Sequence, residues 1–286
     1  MKPMEFIKNK PIICYFILTF ILSWSGIIIV SFFTGIPASS KTFESIAPYA
    51  MLPLVIGPTI VSLFLIGIIY GKGEFKILFS RLLKWRLSVN WYIFALFTFP
   101  ILATVILFIL SQFSNDFLPN IITSDNKIDL LVTGLLSGIF LTLFEEIGWT
   151  GFALPELRKH YNVLSTGLLL GAFWGAWHFL PVFYGCGDVS GKFDFQLFYP
   201  GLFFHYAGLI PFRILMTWLY EKTESVFLSW IMHATLTSSA FFILNISKTG
   251  FPLLVYYTAL SLFLWIIVLI VFKRNKNRKN ILHQDE

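Results

Sequence analysis

Residues 130–155 read LLVTGLLSGIFLTLFEEIGWTGFALP, and the only ionisable side chains among them are the adjacent Glu145 and Glu146. About 20 apolar residues suffice to cross the roughly 30 Å hydrocarbon core of a bilayer, so the stretch predicts a transmembrane helix. A carboxylate inside such a helix costs about 2.5–3.5 kcal/mol even on the lenient insertion scale, so two of them ask for a reason. One segment therefore poses both the question of fold and the question of chemistry.

Seven further apolar runs accompany it, at 12–34, 47–70, 91–112, 163–184, 199–220, 226–246 and 252–272. Together they predict an all-α fold, a polytopic membrane helical bundle of about eight transmembrane helices. Composition agrees. Of the 286 residues 57% are hydrophobic and only 13% charged, against about 25% charged in soluble domains. The 33 Phe and 9 Trp would overfill a soluble interior of this size. The first run exceeds the usual h-region of about 7–15 residues in a cleaved signal peptide, so it reads as a retained helix even though Ala38-Ser39-Ser40 follows it. Gly57-Pro58 and Pro181 fall inside runs, where neighbouring helices must satisfy the carbonyls that a proline frees.

The net charge of +6 does not describe a nucleic-acid-binding face, because the basic residues sit in short clusters between apolar runs. Lys2, Lys8 and Lys10 precede the first run, and Lys72, Lys76, Arg81, Lys84 and Arg86 separate the second from the third. Arg158 and Lys159, Lys222, and the tail residues Lys273, Arg274, Lys276, Arg278 and Lys279 fall on the same side. That side holds sixteen positive charges and the other only Lys41, Lys127, Lys192 and Lys248. The asymmetry predicts eight spans with both termini cytoplasmic in a cell membrane. Cys14 and Cys186 form no CxxC or Cys/His metal pattern.

Glu145 and Glu146, being adjacent, point about 100° apart on a helix, so one can face the bundle centre while the other makes a supporting contact. A carboxyl group held in a low-dielectric interior is suited to act as a general base near neutral pH. His178, four residues after Trp174 on the same helical face, and His233, in Trp230-Ile231-Met232-His233-Ala234, lie in the fifth and seventh runs. Either histidine alone reads as a hydrogen-bonded interior residue. With a glutamate pair, on three different helices, they read as a site built in a bundle core. Arg213 and His205 in the sixth run are secondary candidates.

The chain contains no H-E-x-x-H, G-x-S-x-G or P-loop motif. Hydrolysis of a peptide bond by Glu and His needs none of them. The Glu would activate water, and the histidines would stabilise the oxyanion or protonate the leaving amine.

Glu145-Glu146-Ile147-Gly148-Trp149-Thr150-Gly151-Phe152, then Trp174-x-x-x-His178, then His233-Ala234 resemble the CAAX prenyl protease and bacteriocin-processing (CPBP, or Abi) family of intramembrane proteases. The resemblance covers roughly residues 130–245. It implies a CAAX-prenyl-protease-2-like bundle divided into helices 1–3 with a basic loop (1–125), a protease core (126–250), and a last helix with a basic tail (251–286). It also implies an endopeptidase acting near the C-terminus of a membrane-associated protein or peptide, prenylated or bacteriocin-like. Carried over by position, Glu145 would activate water with His178 as its partner, His233 would contact the oxyanion or leaving group, and Glu146 and Trp174 would complete the site. The resemblance leaves a metal open: Glu145, His178 and His233 would serve equally as three Zn²⁺ ligands with water as the fourth.

Two departures stand out. The family pattern E-E-x-x-x-R has Thr150 at its Arg position, which removes the i,i+4 cation of Glu146. The Asn expected four residues after the second His is Thr237, whose hydroxyl lacks the reach of an amide. Both substitutions favour an alternative, a catalytically impaired relative serving as a bacteriocin-immunity or scaffold protein. A proton-coupled transporter using Glu145 and the histidines as a relay is a further reading, opposed by the lack of an inverted hydropathy repeat. By residue count His178 lies nearer the outer side of its helix than Glu145 and His233 do of theirs.

Overall fold

A computed structural model describes the backbone of residues 3–282 and the side chains of residues 4–274. Lys2, Lys276, Arg278 and Lys279, which enter the charge asymmetry, lie outside the described side chains. Eight helices are long and apolar enough to cross a membrane: α1 (Pro11–Thr34), α2 (Ser40–Ile69), α3 (Val89–Ser111), α4 (Lys127–Arg158), α5 (Val163–Tyr184), α6 (Phe195–Thr223), α7 (Val226–Ile243) and α8 (Phe251–Arg274). No named strand occurs among the described residues. The protein is a multi-pass membrane bundle.

Most boundaries agree with the apolar runs, and the exceptions share one cause. Helices α2 and α6 begin several residues before their runs because polar caps start them. Ser39 accepts a hydrogen bond from the Thr42 amide, and Asp194 accepts from the amides of Gln196 and Leu197. Such caps satisfy orphan amides at a helix start, and hydropathy does not register them.

Helix α4 is the central post. It packs between α2 and α7, while α7 also meets α3 and α6, α5 lies along α6, α1 lies along α2, and α8 closes the bundle against α6 and α3. Gly148 on α4 permits a close approach of three helices. A β-carbon there would stand 2.5 Å from the Pro58 backbone and from the Tyr15 hydroxyl, so only glycine lets α1, α2 and α4 meet. Gly175 does the same between α5 and α6, where a β-carbon would lie 2.5 Å from the His205 carbonyl oxygen.

The outer surface is apolar. Phe32, Phe33, Phe108 and Leu269 are among many large hydrophobic side chains left exposed, whereas Glu145, Glu146, Arg213 and His233 are buried. This pattern inverts the soluble one and matches a bundle solvated by lipid.

Prolines inside helices free a carbonyl four residues back, and at Pro58, Pro181 and Pro200 neighbouring segments meet that need. The Leu54 oxygen freed by Pro58 accepts from the Ser23 hydroxyl of α1 at 3.3 Å. The Trp177 oxygen freed by Pro181 accepts from Trp24 Nε1, also on α1, at 2.9 Å. The Gln196 oxygen freed by Pro200 accepts from the Gly250 amide at 2.8 Å. Helix α5 breaks into Val163–Trp177 and Phe179–Tyr184, with His178 at the join.

The 185–194 connection between α5 and α6 is tied down. Gly187 pairs with Phe193, and Asp188 accepts hydrogen bonds from the Ser190 amide, the Ser190 hydroxyl and the Lys192 amide. The Ser190 hydroxyl bond comes first in holding the exposed Asp188 carboxyl below the usual carboxylate range. Val189 projects from this connection, 86% exposed. With the orientation expected from the charge asymmetry, this connection would face the outside of the cell. In a chain with Cys14 and Cys186 replaced by serine, Val189→Cys should therefore react with a membrane-impermeant maleimide on intact cells. Reaction only after permeabilisation would reverse the orientation.

Candidate active site

The two glutamates of α4 part company as adjacent helical residues must. Glu146 is fully enclosed and both its oxygens are engaged. Arg213 of α6 donates through Nη2 to Oε1 at 2.8 Å and through Nη1 to Oε2 at 3.0 Å. His233 of α7 donates from Nδ1 to Oε1 at 2.9 Å, and the Thr150 hydroxyl donates to Oε2. Arg213 Nη1 also lies 3.4 Å from the Thr150 oxygen. The guanidinium–carboxylate contact is the two-pronged kind, about twice as strong as a neutral hydrogen bond. Thus Glu146 ties α4, α6 and α7 together.

Glu145 has a different setting. Trp174 of α5 donates from Nε1 to Glu145 Oε2 at 3.1 Å, and Oε1 has no hydrogen bond among the described residues. Trp174 also stands edge-on to the His233 ring at 4.8 Å, and the Arg213 guanidinium lies over its indole at 4.1 Å. The indole therefore touches both the carboxylate it bonds and two partners of the other one.

His178 joins the cluster through Trp174. Its Nδ1 donates to the Trp174 carbonyl at 2.8 Å, which leaves Nε2 bearing the lone pair, because a carbonyl can only accept. Its ring packs against those of Trp174, Trp177 and His205, at 5.6, 4.8 and 4.6 Å. His205 is fixed the same way, with Nδ1 donating to the Gly201 carbonyl at 2.6 Å. Among the described residues His178 has no hydrogen bond to either glutamate. The offset in depth expected from residue counting is bridged by Trp174, one helical turn earlier on α5, which carries the contact to Glu145.

Local backbone geometry serves the same cluster. Helix α4 widens into a π-turn at Trp149–Ala153 directly after the glutamates, and α7 does so at Ser239–Ile243 after His233 and Thr237. Such widenings are frequent at functional sites. Thr237 lies one turn beyond His233, buried, and its hydroxyl makes no hydrogen bond among the described residues.

Two expectations change. Glu146 does not lack a cation: Arg213 supplies it from another helix, and Thr150 keeps one hydrogen bond of its own. A signal for this was present in the sequence, since an arginine in the middle of an apolar run requires an acid and Glu146 had lost its i+4 partner. The second change concerns the proposed Zn²⁺ ligands. Glu145, His178 and His233 do not assemble as a ligand set, and no three His, Cys, Asp or Glu side chains among the described residues stand together to hold a metal ion.

Eight membrane-length helices enclosing paired carboxylates, imidazoles and a fixed indole define a membrane protein with a buried acid–imidazole site. Residues 127–239, which contain every side chain of that site, match the family model described as type II CAAX prenyl endopeptidase Rce1-like. The chain is also 28% identical over 233 residues to CAAX prenyl protease 2 of Methanococcus maripaludis, a similarity spanning 77% of this chain and 80% of that protein. Over the residues that build the site, the chain is thus similar to the CAAX prenyl proteases.

The unequal bonding of the glutamates predicts unequal stability effects. Glu146→Ala leaves a buried guanidinium unpaired and should destabilise the detergent-solubilised protein by about 3–5 kcal/mol. Glu145→Gln retains an acceptor for Trp174 and should unfold close to wild type. Reversible unfolding of both variants measures the contrast.

Proposed function

We propose that the protein is an intramembrane endopeptidase in which Glu145 activates water to hydrolyse a peptide bond of a membrane-associated substrate. The observation that carries this reading is the division of labour between the glutamates. Glu146 has both oxygens committed to Arg213, Thr150 and His233, whereas Glu145 is fixed by one oxygen and keeps the other for a ligand. A general base must be both oriented and free at one atom, and Glu145 meets both conditions.

Water held on Glu145 Oε1 loses a proton to the carboxylate as its oxygen bonds to the substrate carbonyl carbon. The carbonyl oxygen becomes an oxyanion. His233, oriented by its Nδ1 hydrogen bond to the Glu146 carboxylate as a triad histidine is by its acid, takes the oxyanion or leaving-group contact. The Thr237 hydroxyl, without a partner among the described residues, offers a second donor one turn along α7. When the C–N bond breaks, the proton taken by Glu145 passes to the leaving amine and the carboxylate is restored. His178, with Nε2 bare, accepts a hydrogen bond from the water or from the departing N–H.

The relative named above is a CAAX prenyl protease, so a C-terminal peptide carrying a thioether-linked prenyl chain is the first substrate to test, beside its unprenylated twin. Mass spectrometry should map one internal cut by the purified protein, and Glu145→Gln should abolish it while still inserting in the membrane. Undiminished cleavage by Glu145→Gln would move the base elsewhere.

Thr237 carries a finer expectation. An oxyanion donor is typically worth about 2.7–4 kcal/mol, and a short hydroxyl forfeits part of that. Thr237→Asn should raise the rate by roughly tenfold if about 1.4 kcal/mol is recovered. A slower Thr237→Asn would mean that the site is fitted to threonine.

A further inference from the structure

We propose that Arg213 is a positioning residue for Glu145, acting through Trp174, in addition to neutralising Glu146. The inference rests on the reading of Glu145 as the base. Its physical basis is the placement of one cation against both Glu146 and Trp174. The two Nη atoms hold Glu146, while the guanidinium carbon lies over the indole of Trp174, 4.1 Å from its centroid. The opposite function of that indole, its Nε1–H, fixes Glu145 at 3.1 Å. A guanidinium stacked on an indole is attracted to the negative face of the ring, and burial strengthens the attraction. Arg213 is fully buried and its two-pronged bond to Glu146 leaves it little freedom to turn. The indole is thereby held in the orientation that aims Nε1 at Glu145.

This arrangement differs from what an arginine at position 150 would give. Thr150 approaches Glu146 along α4 itself, one turn away, and contacts only Oε2. A cation reaching Glu146 from there would cancel its charge without being anchored on α6 beneath the Trp174 ring. Arg213 comes from α6, the helix along which α5 and its Trp174 lie, so a single side chain serves both carboxylates. Charge compensation and base orientation are separable roles, and exchanging the two residues separates them.

The experiment compares wild type, Arg213→Thr, the exchange Thr150→Arg/Arg213→Thr, and Arg213→Lys, each as the full chain in detergent or nanodiscs. Three quantities are read: the thermal unfolding midpoint, kcat and KM for the peptide that wild type cleaves, and the ¹⁵N indole resonance of Trp174, assigned by its loss in Trp174→Phe. Arg213→Thr alone should lose the fold. The exchange should recover the unfolding midpoint toward wild type, because Glu146 regains a cation. Its kcat should nonetheless stay low by on the order of tenfold or more with KM little changed, and the Trp174 indole signal should move toward that of an unbonded indole. A wild-type kcat with an unshifted indole signal in the exchange variant would overturn the proposal and leave Arg213 a counter-ion only. Should the exchange variant not fold, Arg213→Lys decides, since it keeps the charge but not the planar stack or fork: a lowered kcat supports the proposal and an unchanged one refutes it. Should wild type cleave no peptide, the failure belongs to the protease reading. The indole signal still decides here, a shift in the exchange or lysine variant supporting the link and an unmoved signal refuting it.

Discussion

Arg213 and Glu146 meet at 2.8 and 3.0 Å inside a bundle where neither reaches water. In lipid each would be a bare charge, so α4 and α6 have little choice but to associate, and His233 brings α7 to the same carboxylate. The attraction is not a simple gain, because both ions are stripped of water to make it, and a well-packed apolar substitute often does as well. What the pair supplies is register. A slip of α6 by one residue would turn Arg213 away by about 100° and leave two unpaired ions in a low-dielectric interior. Helices that slide freely on apolar contacts are locked once one pair of charges must meet.

Around that lock, several irregularities of the bundle gather at the site. The π-turns after Glu146 and after Thr237, and the break at His178, all lie within or next to the polar cluster. Irregular backbone at membrane depth is tolerated only where other protein groups cover it. The Ser23–Leu54 and Trp24–Trp177 bonds do so, and both come from α1, a helix that contributes no acid or imidazole. Its part is to let α2 and α5 bend. The same helix brings Tyr15 against Gly148, beside the glutamates.

Much of this was legible in the sequence, and the portions that were not have identifiable causes. Runs of apolar residues announced all eight spans, since no other solution places so much hydrocarbon beside lipid. They missed the first turns of α2 and α6, which are set by Ser39 and Asp194 rather than by hydropathy. Glu145, Glu146, Trp174 and His233 could be singled out because ionisable or polar-tipped groups in such runs are costly. Their mutual arrangement could not, as it depends on which helices adjoin. The cation of Glu146 was sought along α4, where i+4 geometry is readable, whereas it arrives from α6, 67 positions away in the chain. The same limit applies to the Zn²⁺ alternative: motif order says nothing of whether Glu145, His178 and His233 gather into a metal-holding group, and none is found among the described residues.

The partnered carbonyls freed by Pro58, Pro181 and Pro200 also bear on how the chain is made. Leu54 and Trp177, within their helices, find partners in Ser23 and Trp24, which have already been synthesised when each kink emerges. Gln196 is different, because its partner, the Gly250 amide, lies about fifty residues later. At 5–20 residues per second the ribosome needs roughly 3–10 s to supply it. Gln196 is the second residue of α6, next to the helix boundary, where interfacial water can serve the carbonyl in the interval. Of these three, the kink that must wait for its donor is thus the one nearest a helix end, and the bond between α6 and the entrance to α8 forms late in biogenesis.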